Sequence, residues 1–424
     1  MLQLNFIREN KDEVLKRLAV KNFSAASDII NNIIELDATR RQVQKDGDAL
    51  KAEANVLAKQ IGDLMKSGNK TEAEPLKIKT AELKLKEKTL DENLKNAENE
   101  IHELLVQVPN LPNEKVPAGK TPQDNEVVFE HGNMPELFEG SSPHWELTTK
   151  YNLIDFEAGV KLTGAGFPVY KGKGARLQRA LINYFLDKAI SSGYMEVQPP
   201  IMVNEASGFG TGQLPDKEGQ MYHIGIDNLY LIPTAEVPIT NLYRDVILKE
   251  NELPVKNCGY TPCFRREAGS YGKDVRGLNR LHQFDKVEIV QITRPEKSYE
   301  TLEQMRDYVA GILKELELPF RILKLCGGDM SFASALTYDM EVWSAAQKRW
   351  LEVSSVSNFE TYQTNRLKCR YKDAEGKTQL THSLNGSALA LPRIVAALLE
   401  NNQLAEGIKM PKVLIPYTGF EMIN

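Results

Sequence analysis

The sequence is poor in cysteine: 424 residues hold four, Cys258, Cys263, Cys326 and Cys369, with no CxxC pair. That excludes a disulfide framework and argues against a zinc ribbon. The six histidines are scattered without metal-ligand spacing. No apolar run approaches the ~20 residues needed to span a bilayer. The opening MLQLNFIRENKDEV carries charge where an export signal would carry its apolar segment. A soluble, cytoplasmic protein is therefore expected. Basic residues are not in excess, with 53 Lys and Arg against 58 Asp and Glu and a net charge of −5. Indiscriminate nucleic-acid binding is thus excluded, though a local basic surface is not. No GxxxxGK[ST] phosphate loop is present. Gly164-Ala165-Gly166 and Gly208-Phe209-Gly210-Thr211-Gly212 come nearest to a dinucleotide turn. Neither follows a strand and opens a helix, so both read as mobile loops. There is no internal repeat.

What is present is a globular composition, 42% hydrophobic and 26% charged. At ~100–200 residues per domain the length implies two or three domains.

From about Ser27 to Val108 the chain is rich in Lys, Glu, Ala, Leu and Asn, with no Gly or Pro between Pro75 and Pro109. Ile29, Ile33, Leu36, Arg40, Val43, Gly47, Leu50, Ala54, Leu57, Ile61 and Leu64 follow an alternating 4-3 spacing. So do Leu76, Thr80, Leu83, Glu87, Leu90, Leu94, Ala97, Ile101, Leu104 and Val108. This is the period of a coiled-coil seam. Lys66-Ser67-Gly68-Asn69-Lys70 is a turn by composition, and Pro75 suits the first turn of the returning helix. A short turn makes the two helices antiparallel. The first would be roughly 50 Å long, burying only a narrow seam and projecting from a body. The pattern alone is equally a dimerisation coiled coil or a spacer. Its lysines are interleaved with acids, which permits phosphate contacts without requiring them.

Proline and glycine crowd together from Val108 to Pro122, marking a linker. The predicted organisation is a helical domain over 1–110 and a larger domain over 111–424. Helices are expected at Lys150–Phe156, Ala175–Ser192, Glu236–Leu248, Ser298–Leu316 and Ile394–Asn401. Strands are expected at Met195–Val203 (broken by Pro199 and Pro200), Leu229–Pro233, Tyr260–Arg266, Gln283–Ile292, Phe320–Cys326, Met340–Trp343 and Leu351–Ser357. Strands outnumber the helices that could cross between them. That favours an α+β fold with an antiparallel sheet and flanking helices.

Three segments carry candidate chemistry. The first is Gly193 to Pro200, after an amphipathic helix. The second is Cys263-Phe264-Arg265-Arg266-Glu267, then a glycine-rich basic loop from Ser270 to Arg280, then His282 to Glu288. The third is Leu384 to Arg393, opening an apolar helix. Arg265, with Arg276 and Arg280, could clamp a polyphosphate, since arginine presents a planar fork of donors to anionic oxygens. Arg393 follows the small residues Gly386, Ser387, Ala388 and Ala390, where a ligand could approach the backbone. Glu352, Ser354 and Ser355 offer the oxygen ligands magnesium prefers. Taken singly, each is weak, because an isolated Arg-x-Glu is usually a surface ion pair.

Together and in this order the three segments resemble the three motifs of class II aminoacyl-tRNA synthetases, and within that class the bacterial-type seryl-tRNA synthetases. The resemblance covers essentially the whole chain: the hairpin, VPNLPNEKVPAG, GTGQLP, Thr234-Ala235-Glu236, FRRE with AGSYGKDVRGLNRLHQFDKVE, and EVSSVSN. It implies the class II antiparallel sheet, with the Ala175–Ser192 helix and Pro200 at a homodimer interface. It implies ATP and Mg²⁺, with Arg265 on the α-phosphate and the serine carboxylate, Glu267 on the adenine amino group, and Phe284 and Arg393 sandwiching the adenine. Arg393 would also lie near the γ-phosphate. Arg265, Glu267 and Arg393 would be catalytic. Arg266, Val353 and Ser354 would complete the ATP contacts, and Glu352 and Ser355 would hold the metal. Thr234, Ala235, Glu236, Arg265, Glu288, Asn385 and Ser387 would hold serine. The implied activity is a serine–tRNA ligase acting on tRNA(Ser), and on tRNA(Sec) where one exists. Roughly 30 residues follow Arg393, too few for a further domain, so the hairpin is expected to find the tRNA. Two alternatives remain: a relative that passes seryl-adenylate to a carrier protein, and a non-catalytic coiled-coil RNA-binding protein.

Overall fold

The structure is a computed structural model describing residues 1–216, 219–267 and 276–424. These form two compact units, one of Leu2–Ala19 with Phe23–Pro109, the other of Met1, Val20–Asn22 and Asn110–Asn424.

The first unit contains α1 (Leu4–Glu9) and two long helices, α2 (Ala26–Lys66) and α3 (Lys70–Leu105). Ser67, Gly68 and Asn69 reverse the chain, with Gly68 at φ +83°, a conformation glycine adopts without a Cβ penalty. Every residue of both seam series is buried or half-buried, as the 4-3 spacing requires. Two seam positions that carry charged side chains, Glu87 and Arg40, are settled by ion pairs. Glu87 lies 3.8 Å from Lys51 across the hairpin, and Arg40 lies 2.8 Å from Asp37. Asp37, outside the predicted series, is fully buried and also meets Arg8 at 3.1 Å and Arg41 at 3.0 Å. Burial pushes its carboxyl up, but the Arg40 and Arg8 hydrogen bonds and the Arg41 charge outweigh that and hold it below its ordinary value. Pro75 sits in the second turn of α3, not the first. The reversal uses only three residues, so the helix restarts earlier than composition implied.

The second unit is built on an eight-stranded sheet. Its strands are β1 (Glu126–His131), β2 (Met195–Glu196), β3 (Val255–Phe264), β4 (Gln283–Thr293), β5 (Phe320–Lys324), β6 (Leu336–Ser344), β7 (Arg349–Asn358) and β8 (His382–Ala390). The order is β1-β5-β6-β7-β8-β4-β3-β2. Every pairing is antiparallel except β2 with β3. The predicted antiparallel sheet is therefore present. The helices of this unit that matter below are α4 (His144–Lys150), α5 (Gly172–Ser191), α6 (Glu205–Thr211), α7 (Glu236–Asn241), α8 (Ser298–Glu315), α9 (Thr361–Leu367) and α10 (Leu391–Asn401). Leu177, Leu181 and Phe185 of α5, Leu302, Met305, Val309 and Leu313 of α8, and Ile394, Val395 and Leu398 of α10 form one core with the strand residues Val287, Ile289, Met340, Val342 and Val353. Each such side chain contributes about 1.5–3 kcal/mol on burial, which makes this core the main stabilising element.

Several local expectations are corrected. The helix placed at Lys150–Phe156 ends at Lys150, because Asn152 turns to φ +51° and Asp155 then caps a separate helix, Phe156–Leu162. The helix placed at Glu236–Leu248 ends at Asn241. Asp245 takes φ +61°, and Ile247–Lys249 pairs as a parallel strand with Arg370–Lys372. Gly208 to Thr211 is not a loop but part of α6, with Gly212 as its left-handed cap. Packing selects glycine there: a Cβ on Gly210 would meet Leu367 at 2.5 Å. β8 has no strand signature, since Ser, Asn, Gly and Ala disfavour strands. It forms because it fills the centre of the sheet between β7 and β4. Among the described residues no helix is long and apolar enough to cross a membrane.

Candidate active site

β4 organises the site through the two-residue alternation of a strand. Val287 and Ile289 enter the main core, so Lys286 and Glu288 face the other way. Val290, on that opposite face, packs with Ala235 and Ile239. Lys286 Nζ lies 2.5 Å from Glu288 Oε2 and donates to Thr234 Oγ1 at 2.8 Å. Thr234 donates to the same Glu288 oxygen at 3.0 Å. Ser387 faces Glu288 across the β4–β8 register. Glu236, beside them, accepts from Gln363 Nε2 at 2.6 Å. Burial, and then the Glu288 charge, push the Glu236 carboxyl up to about 7, against the opposing pull of Gln363, Lys286 and Asn385. Thr234, Glu236, Lys286, Glu288, Asn385 and Ser387 are thus one buried polar cluster carrying two carboxylates and one ammonium.

Arg265 adjoins this cluster. Its backbone N–H donates to His282 O at 2.9 Å, which continues the β3–β4 hairpin beyond the strand ends. Its Nε donates to Pro233 O at 3.3 Å, one residue before Thr234. Its guanidinium lies 5.3 Å over the Phe284 ring, a cation–π arrangement. Arg266 N–H donates to Gln220 O at 2.9 Å. Glu267, at φ +47°, meets Arg280 Nη1 at 2.8 Å. Arg276 stacks 4.6 Å over Trp145. Of the stretch Ser270 to Arg280, residues 270–275 lie outside the described residues. The structure therefore gives Arg280 to Glu267 and Arg276 to Trp145.

Arg393, in the first turn of α10, donates from Nε to Asn279 O at 3.0 Å and from Nη1 to Glu352 O at 2.7 Å. A fully buried network stands behind it. Leu278 N–H donates to His144 Nε2 at 2.9 Å, so Nδ1 carries the His144 proton, 2.7 Å from Glu400 Oε1. Ser344 Oγ also donates to Glu400. Burial pushes the Glu400 carboxyl up, and the His144 and Ser344 hydrogen bonds reverse this and hold it below its ordinary value.

Ser354 Oγ donates to Ser387 O at 2.5 Å, which ties β7 to the Glu288 cluster. One strand register from Ser355 lies Asp339, whose carboxylate accepts from Ser355 Oγ at 2.6 Å. Burial, then the charges of Glu352, Asp329 and Glu341, push the Asp339 carboxyl well up. Among the described residues no group of three or more His, Cys, Asp or Glu is placed to hold a metal ion, so a hard cation here would need substrate phosphates to complete its shell.

The predicted residues are not equivalent in the structure. Arg265, Thr234, Glu236, Glu288, Asn385 and Ser387 are brought together, and Arg393 is joined to Glu352. Ala235 and Val353 turn their side chains into apolar clusters, so only their backbones remain for a ligand. Lys286, Gln363, Asp339, Asn279, His144 and Glu400 were missed as site residues. Strand alternation between Phe284 and Glu288 could have found Lys286. Gln363 is 127 residues from Glu236 and carries no local signal.

An antiparallel sheet with an arginine at the end of one strand and a second at the start of the helix after the central strand defines a class II synthetase core. The family model for the tRNA synthetase class II core domain (G, H, P, S and T) matches residues 222–402. The model for the seryl-tRNA synthetase N-terminal domain matches residues 1–112. The chain is 50% identical to the serine–tRNA ligase of Salinibacter ruber over 426 residues, covering 100% of this chain and 99% of that protein. The solved seryl-tRNA synthetase of Pyrococcus horikoshii, complexed with ATP, superposes with a TM-score of 0.93 at 32% identity, covering 100% of this chain and 99% of that one. The cytoplasmic serine–tRNA ligase of Naegleria fowleri, in complex with AMP, gives 0.89 at 27% identity, covering 100% and 99%. The chain belongs to the seryl-tRNA synthetase family.

Proposed function

We propose that this protein activates L-serine with ATP to seryl-adenylate and transfers the seryl group to the 3′ end of tRNA(Ser), and of tRNA(Sec) where one exists. The observation that carries the reading is the buried Thr234–Glu236–Lys286–Glu288–Ser387 cluster set beside Arg265 through Pro233. A small hydroxylated amino acid needs such a set of carboxylate, hydroxyl and ammonium groups. Alanine lacks the hydroxyl, leaves a buried partner unpaired and is rejected by ~10⁴-fold or more in favourable cases. Threonine is excluded by the size of the site.

The first step brings two anions together, the serine carboxylate and the α-phosphate of ATP. The protein's contribution is positioning and charge neutralisation more than covalent chemistry. Arg265 holds both reactants, because its guanidinium fork matches carboxylate and phosphate oxygens. Glu267 reads the adenine amino group. Phe284 and Arg393 bracket the ring, with Arg393 near the γ-phosphate, and Arg266, Val353 and Ser354 supply further nucleotide contacts. Glu352 and Ser355 would hold Mg²⁺, which would neutralise polyphosphate charge, while Asp339 keeps the Ser355 hydroxyl oriented. A ribose hydroxyl of the terminal tRNA adenosine then attacks the seryl carbonyl and AMP leaves. Residues 1–110, with the α2–α3 hairpin, form the tRNA-binding domain. They contact the elbow and long variable arm through shape and phosphates. Residues 111–424 form the catalytic domain, which works as a homodimer through α5 and Pro200. The test is ATP–pyrophosphate exchange measured with each amino acid in turn. Serine alone should support it, and exchange driven by another amino acid would overturn the reading.

A further inference from the structure

Gln363 belongs to no motif, yet it is a buried group that holds Glu236. It lies on α9 and is 1% exposed. Its Nε2 donates to Glu236 Oε1 at 2.6 Å and to Thr211 O at 3.0 Å, and its Oε1 accepts from Ser383 Oγ at 2.7 Å. The amide orientation is fixed by chemistry. An ionised carboxylate and a carbonyl only accept, so the NH₂ must face both, and the oxygen is left for the serine hydroxyl. Thr211 and Ser383 are as deeply buried as Gln363, so none of the three has water to fall back on.

We propose that Gln363 is a positioning residue that determines specificity for the amino-acid substrate: by engaging Glu236 Oε1 it fixes the carboxylate and stabilises its ionised form for the substrate's ammonium or hydroxyl. The inference rests on the reading of the Thr234–Glu288 cluster as the serine site. The same amide ties that carboxylate to the end of α6. Three residues on, Arg366 donates to Phe209 O and Leu214 O, both at 3.1 Å. α9 thus clamps the turn after α6 beside the amino-acid site.

The charge state of Glu236 is finely balanced. Burial, and then Glu288, oppose its ionisation, while Gln363, Lys286 and Asn385 favour it. A hydrogen bond to a buried charged group is worth enough to tip that balance. Without the Gln363 donor, the balance of Glu236 at neutral pH shifts further toward the protonated form and its hold on serine weakens. Raising the pH restores the charge and with it the affinity.

The experiment uses the full chain carrying Gln363→Met, which keeps the volume and removes both polar ends. Serine-dependent ATP–pyrophosphate exchange is followed from pH 6 to pH 9, with serine and ATP varied separately. The expected result is a serine KM raised about 10- to 100-fold at pH 7 that falls back toward wild type by pH 9, with the ATP KM changed less than about two-fold. A merely structural defect would move both KM values and would not recover with pH. Ser383→Ala, which releases the amide oxygen, should raise the serine KM in the same pH-dependent way but by only about 3- to 10-fold. It also carries the test if the methionine variant does not fold. An unchanged serine KM in either folded variant, or a rise independent of pH and shared with ATP, overturns the inference. Wild-type protein without serine-dependent exchange would overturn the proposed function as well, so the two failures are distinguishable.

Discussion

Replacing Glu236 by Gln isolates the group whose ionisation the buried Thr234–Glu288 cluster controls. In the folded protein burial and Glu288 push the Glu236 carboxyl up to about 7, from an ordinary 4.5. That gap corresponds to about 3 kcal/mol. The sign follows from proton linkage. Between the two values the folded chain keeps a proton that the unfolded chain has released, so stability falls as pH rises from about 4.5 to about 7. Glu236→Gln has the same shape, still accepts from Gln363 and cannot titrate. Its midpoint should therefore gain on the wild type as pH rises. For a cooperative unit as large as Asn110–Asn424, 3 kcal/mol is about 4–5 °C in Tm. The assay is thermal unfolding at pH 5 and pH 8 without substrates, comparing the two chains at each pH. The difference between variant and wild type should grow by about 4–5 °C toward pH 8. Curves that stay parallel across the range would show that Glu236 is not held protonated, and the account of a balanced carboxylate would fail. The same variant should lose serine-dependent exchange by about 100-fold or more, because a neutral amide gives a substrate ammonium a hydrogen bond but no counter-charge.

Arg265→Ala should abolish adenylate formation in the exchange assay while leaving the circular-dichroism melting curve unchanged, because the side chain's own ties are a long hydrogen bond to Pro233 and the face of Phe284; retained exchange would remove it from the mechanism. Glu400→Ala strips a buried acceptor from the neutral His144 and from Ser344 and, leaving buried donors unpaired at about 1–3 kcal/mol each, should cost about 2–5 kcal/mol in denaturant unfolding; a loss below about 1 kcal/mol would mean that the network is not cooperative. Asp37→Asn leaves Arg8, Arg40 and Arg41 around a neutral group. Since the Asp37 carboxyl is held low, its contribution is present above the ordinary carboxylate value and disappears as pH falls through the folded one. The variant should therefore be less stable than wild type at pH 7 and approach it at acid pH, as read from helix melting. Deleting Ser27 to Val108 should leave serine-dependent exchange nearly intact and abolish tRNA charging; loss of both in a folded deletion would contradict the division of labour.

The sequence by itself determined whatever rests on local periodicity or on short runs of chemistry. The hairpin seam was legible residue by residue, because a repeating apolar position every three or four residues needs no knowledge of the rest of the chain. Long strands such as Gln283–Thr293 and the helix Ser298–Glu315 were legible for the same reason. Arg265, Glu288 and Arg393 stood out because their motifs are contiguous. Tertiary structure alone decided that His382–Ala390 is a central strand, since its small polar residues gain their stability from the neighbours on either side. It alone decided that the helix after Glu236 stops at Asn241, where pairing with a distant strand outweighs local propensity. It alone brought Lys286 to Thr234, Asp339 to Ser355 and Gln363 to Glu236. Those contacts join residues on separate segments of the chain, and a hydrogen bond that closes only when separate elements pack leaves no periodic trace in either.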